Sequence, residues 1–304
     1  MKEQAIQFGK SAVLSGILAD ASQDTADPER PAFILLNSGI LHRVGSCRLH
    51  VRLARALSRH GFTSLRFDFS GVGDSEPRRD ALSFEDACRA EVREAMDHLS
   101  SARGVKRFIL MGLCSGADMA HLTAAIDKRV CGLVFIDAWA YRTKRYWFQH
   151  YARRVFKAHV WKSWAQIRVR RMLGEISARR APAQSNEFDS YDVPKYVREF
   201  PPREAVARDL SDFVQRDIRI LAIFTAGLVD HYNHRSQYRS SFSEIDFRDL
   251  LDVEFMPTAD HIITNLAHQA FVVQRIVGWA QSATKSVALH SQVRQDSAAT
   301  ASIR

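Results

Sequence analysis

The stretch Phe108-Ile109-Leu110-Met111-Gly112-Leu113-Cys114-Ser115-Gly116-Ala117-Asp118 decides the fold. Phe108–Met111 is a continuous apolar run, as a strand buried on both faces requires. Cys114 then sits midway between Gly112 and Gly116, and a helix is expected from Ser115 to Asp127. A strand that enters a helix through so sharp a turn holds its central residue in a strained conformation. The two glycines give the room, since neither carries a Cβ. The side chain of Cys114 is therefore expected to stand exposed above the carboxyl edge of a parallel sheet.

Outward from this turn, strands and helices alternate. Ala5–Phe8 and Val13–Ala19 read as two edge strands, and Asp20–Arg30 as a polar loop. Pro31–Leu36 is another buried strand, followed by the small and polar loop Asn37–Ser46. Leu49, Leu53 and Leu57 have helical spacing up to Gly61. Thr63–Phe67 leads into the glycine turn Asp68-Phe69-Ser70-Gly71-Val72-Gly73-Asp74-Ser75. A helix over 83–100 opens on Ser83, with Glu85 and Asp86 in its first turn. Val130–Ile136 is a strand ending at Asp137.

The alternation pauses between Ala138 and about Phe213. It resumes with strands Ile218–Phe224 and Val253–Phe255 and a helix over Asn265–Ala280. This pattern predicts an α/β fold, a mostly parallel central sheet with helices on both faces. The core is expected over 1–137 and 214–282, with a helical cap insertion over 138–213. Residues 283–304 are small, polar and without period, and a structureless tail is expected there. There is no internal repeat.

The 304 residues are 46% hydrophobic and 25% charged, enough for one large core. The four cysteines form no CxxC pair or Cys/His cluster, so neither a metal site nor a disulfide framework is expected. Thiols used this way fit a reducing, cytoplasmic compartment. No run approaches the ~18 apolar residues of a membrane span. Ala12–Ala19 makes a poor leader, with Glu3 before it and Ser15 and Gly16 within it. The formal charge of +9 admits anionic partners, but its meaning depends on where the charge lies.

A displayed thiol becomes a nucleophile only with a base to take its proton, and the base needs an orienting carboxylate. Open α/β sheets place such groups in loops at the carboxyl ends of strands. His261 follows Phe255 and Asp230 follows Phe224, each across a short loop. Asp137, directly after Ile136, is the rival carboxylate. The plain alternative for Cys114 is a small buried hydrophobe, which gives its flanking glycines no purpose.

Asn37–Ser46, Leu65–Ser75, Gly112–Ala117 and Asp260-His261 together resemble the α/β-hydrolases of the serine-aminopeptidase-like group. They look closest to the exosortase-A-associated hydrolases and their relatives found beside polyketide and lipid biosynthesis genes. The resemblance spans roughly residues 4–280 and is weakest in the insertion. It implies the α/β-hydrolase fold, with Gly112–Gly116 as the nucleophile elbow and the chain order nucleophile, acid, histidine. The expected triad is then Cys114, Asp230 and His261. It also implies an oxyanion hole from the amide of Ser115 and one around Gly39 or Ile40, with Ile40 preferred. Cysteine in place of serine puts peptidase activity in doubt more than catalysis. A thiolate matches thioester and ester donors and is poorly matched to amides, so acyl transfer to water or a second nucleophile is expected. No cofactor is called for.

The segment 141–180 holds twelve Lys and Arg against one carboxylate, Glu175, with aromatics interleaved. It stands where α/β-hydrolases carry a lid. It reads either as a solvated helical face or as a dock for an acidic acyl carrier protein, the phosphates of coenzyme A, or anionic lipid. No nucleic-acid motif accompanies the charge. Trp147 is a candidate substrate contact. His42 and Arg43 either touch substrate or pin their loop.

Overall fold

The computed structural model describes residues 2–22, 27, 29–155, 198–228 and 230–301. Its strands are β1 (Glu3–Phe8), β2 (Leu14–Ala19), β3 (Ala32–Leu36), β4 (Ser64–Phe67), β5 (Phe108–Leu113), β6 (Val130–Ile136), β7 (Arg219–Thr225) and β8 (Leu251–Met256). They form one eight-stranded sheet in the order β1-β2-β4-β3-β5-β6-β7-β8. β2 is antiparallel to both of its neighbours, and every pairing from β4 to β8 is parallel.

Side-chain alternation along the central strands builds two cores. Ile34, Leu36 and Leu110 face one, while Phe33, Leu35, Ile109 and Met111 face the other. The helices are α1 (Leu49–Arg59), α2 (Phe84–Arg103), α3 (Ser115–Ile126), α4 (Lys144–Val155), α5 (Arg203–Gln215), the short α6 (Gln237–Ser241) and α7 (Leu266–Ala301). Residues of α2, α3 and α5 fill the first core, and those of α1 and α7 fill the second. Ser83 caps α2 by accepting from the Asp86 amide, and Gly104 ends it in the left-handed region.

Two expected boundaries differ. The cap was expected to reach residue 213, yet α5 belongs to the core: Leu210 and Phe213 are fully buried against the sheet. Each apolar side chain so buried contributes about 1.5–3 kcal/mol, which ties this helix to the core. Most of the remaining insertion, 156–197, lies outside the described residues, and α4 is its described helix. At the other end, α7 runs through to Ala301, where a structureless tail was expected. Residues 283–301 contain no Gly or Pro and are rich in Ala, so nothing in them stops a helix already nucleated on the core.

β8 is the sheet edge on the site's side. Its carbonyls at Leu251 and Val253 accept from the guanidinium groups of Arg239 and Arg235.

Candidate active site

The turn between β5 and α3 has the expected geometry. Cys114 adopts φ 55°, ψ −121°, a region that a side chain with a Cβ rarely occupies. Its amide donates to the Ile136 carbonyl at 2.9 Å, and its carbonyl accepts from Ala117 and Asp118 in the first turn of α3. The glycines are dictated by close approach. A Cβ on Gly112 would lie 2.1 Å from the Gly116 carbonyl carbon, and one on Gly116 would lie 2.6 Å from the Leu36 oxygen.

His261 lies beyond β8, on a turn that Asp260 ties down by accepting from the amides of Ile262 and Thr264. Its Nδ1 sits 2.7 Å from Oδ2 of Asp137, not of Asp230. Asp137 is fully buried, directly after β6, and its amide donates to Ile223 on β7. It accepts at 2.7 Å from the Thr225 amide and at 2.6 Å from the Thr225 hydroxyl. These bonds fix its carboxylate toward His261. Asp230, by contrast, is exposed. Its carbonyl is held by Arg142 Nε at 2.7 Å and by the Tyr146 hydroxyl at 2.8 Å. The loop after β7 thus turns toward α4, and the rival carboxylate occupies the position expected of Asp230.

With Nδ1 engaged by Asp137, His261 and the Cys114 thiol influence each other's ionisation. The hydrogen bond to Asp137, reinforced by the one to Cys114, raises the imidazole to about 10. Burial pushes the thiol up. The hydrogen bond with His261, the charges of Arg198 and His261, and the Ser115 amide outweigh this, so its net shift is down. The two shifts run in opposite directions, and both favour the thiolate–imidazolium form of the pair. Alkylation of Cys114 by iodoacetamide, followed by peptide mass mapping against pH, should have its first midpoint below the ~8.5 of an ordinary thiol. A second inflection is expected near 10, where the imidazolium loses its proton. A single midpoint near 8.5 would contradict the pairing.

The remaining expected residues separate. The Ser115 hydroxyl accepts from the Gly39 amide at 2.8 Å, which anchors the loop after β3 to the elbow. This engages Gly39, whereas the Ile40 amide has no partner among the described residues. Arg43 is bound to Asp68 and Asp74, so it pins its loop to the glycine turn after β4. His42, in the same loop, is exposed. Trp147 lies on α4, 39% exposed, with Arg142 over its ring and Tyr151 stacked on it.

Thr225 and Arg198 were not anticipated. Thr225 ends β7 and could have been sought as a strand-end hydroxyl beside a strand-end carboxylate. Arg198 has no local sequence signal. Among the described residues, no group of three His, Cys, Asp or Glu could hold a metal ion. No described helix is long and apolar enough to cross a membrane.

The sheet order and the elbow define a class of fold, and comparison with known proteins agrees. The model of the alpha/beta hydrolase fold matches residues 31–199, more than half of the chain, and the chain belongs to that family. Solved structures with this fold include an esterase of Pyrococcus furiosus (14% identity, TM-score 0.57, 92% of each chain covered). A proline iminopeptidase of Mycobacterium smegmatis is also similar (14% identity, TM-score 0.53, covering 94% of this chain and 100% of that one). So is a lidless serine hydrolase of Xanthomonas campestris (15% identity, TM-score 0.50, covering 94% and 95%). At these identities the likeness concerns the fold. No curated protein matches the chain by sequence.

Proposed function

We propose that this protein transfers acyl groups through a covalent thioester on Cys114, with His261 as base and then acid and Asp137 as orienter. The observation that carries the reading is the Asp137–His261 pair, whose imidazole acts on the Cys114 thiol at a strained elbow. The thiolate attacks the acyl carbon of an ester or thioester, and the carbonyl pair moves onto oxygen. The amides of Ser115 and Ile40 are the donors proposed for that oxyanion. As the tetrahedral intermediate collapses, the bond to the leaving alcohol or thiol breaks and His261 supplies its proton. Water or a second nucleophile then loses its proton to His261 and attacks the thioester, which releases Cys114.

The sulfur favours ester and thioester donors. A thiolate exchanges readily with thioesters and activated esters, because attacking and leaving groups are matched, whereas an amine leaves only after full protonation. Carrier-bound or coenzyme A-bound acyl groups suit the basic residues of 141–180, whose charge would meet phosphate or an acidic carrier.

Intact-mass spectrometry after incubation with acyl thioesters and activated esters tests this. An acyl adduct is expected on the wild type and absent from Cys114→Ala. If no donor of either class gives an adduct or turnover, the reading fails, and a non-catalytic acyl- or protein-binding role takes its place.

A further inference from the structure

Arg198 makes a set of contacts that the triad chemistry above does not use. Its Nε donates to Oδ2 of Asp118 at 2.6 Å, and its Nη2 completes the fork on Oδ1. Nη1 donates to the carbonyl of Asp137 at 3.0 Å, and Nη2 reaches the carbonyl of Cys114 at 3.4 Å. One guanidinium thus spans the nucleophile, the first turn of α3 and the end of β6. The pair is shielded from water, the Arg198 side chain being 12% exposed and that of Asp118 5%.

Stability alone is a poor account of such a pair. Removing two charges from water costs about as much as their attraction returns, and apolar residues of similar volume often serve as well. The location gives it a use. A positive charge near a thiol favours the thiolate, and the carbonyls of Asp137 and Cys114 keep the guanidinium at the elbow. We infer that Arg198 is a positioning residue that holds a positive charge beside the Cys114 elbow and locks the elbow to the end of β6. The inference rests on Cys114 being the nucleophile. Burial raises the thiol, and the Arg198 charge is among the influences that bring it down. Charged or titratable groups facing this pair are Asp118 and His121 on α3, Glu85 on α2, Asp137, His231 and His261.

The experiment follows iodoacetamide alkylation of Cys114 from pH 5 to 10 by peptide mass mapping, with thermal melts alongside. The proteins are the wild type, Arg198→Gln, Arg198→Lys and Asp118→Asn. Arg198→Gln is expected to raise the midpoint by about one pH unit, hence to slow alkylation roughly tenfold below it. Arg198→Lys keeps the charge and should keep the midpoint while losing the fork. Asp118→Asn removes the opposing charge and should move the midpoint the other way. An unchanged midpoint in Arg198→Gln with a lower Tm would overturn the inference, leaving a structural brace. So would shifts of the same sign in Arg198→Gln and Asp118→Asn. If Arg198→Gln does not fold, the other two variants decide: a kept midpoint in Arg198→Lys with a lowered one in Asp118→Asn supports the inference, and a raised midpoint in Asp118→Asn overturns it. These readouts need no substrate. Normal thiolate shifts without any acyl adduct would therefore sink the acyl-transfer reading and not this one.

Discussion

Asp137→Asn should lower turnover of an ester or thioester about 10³–10⁴-fold, chiefly in kcat, while Asp230→Asn should stay within about twofold of the wild type. The asymmetry follows from what each carboxylate touches. Asp137 accepts from His261 Nδ1 and from both donors of Thr225. An amide at that position keeps the size and loses the charge. Its NH2 can face Nδ1 only by turning the imidazole to the other tautomer, in which Nε2 already carries the proton and cannot take one from the nucleophile. The same change withdraws the largest influence that raises the imidazole, and with it part of what favours the thiolate. Asp230 is engaged through its carbonyl, which an Asn retains. Steady-state kinetics on the two variants checks this, and equal losses would reinstate Asp230.

Gly116→Ala should give no native protein, or one destabilised by about 4 kcal/mol or more, well above the ~1 kcal/mol typical of a point substitution. The added methyl would sit 2.6 Å from the Leu36 oxygen and 2.7 Å from that of Asn37. Both are main-chain atoms of the central strand β3 and its loop, which cannot step aside as a flexible side chain would. Relief would require α3 to lift from the sheet, opening the packing of Ala117 and Ala120. Urea melts of soluble protein, or loss of soluble expression, would register it. A stable Gly116→Ala protein would mean that α3 does not approach β3 as described.

The turn that organises the molecule was legible because its constraint is local. Two glycines around one polar residue, after a buried strand and before a helix, suit few backbone geometries besides a sharp elbow, and the position of Cys114 followed from them. His261 was legible for a similar reason, as a histidine in a short loop after the last strand. The acid was not. Asp137 and Asp230 both follow strands, and the choice between them depends on which way the loop after β7 turns. That direction is set by Arg142, by Tyr146 on α4 and by Thr225 on β7, through contacts between residues more than 80 positions apart. Arg198 escaped for the same reason, since its partners Asp118 and Asp137 are distant in sequence. The ends of the cap and of α7 depend on helix packing and propensity, which polar composition alone obscures.

The arginine-capped rim of the sheet bears on how copies of this protein meet. An outer strand with open carbonyls can recruit a strand from another molecule and propagate into fibres or swapped dimers. On β8 the carbonyls of Leu251 and Val253 are already taken, by long cationic side chains that also repel a like-charged neighbour. Strand addition there must first displace two guanidinium groups, so the rim resists self-association even when the chain is crowded at high concentration.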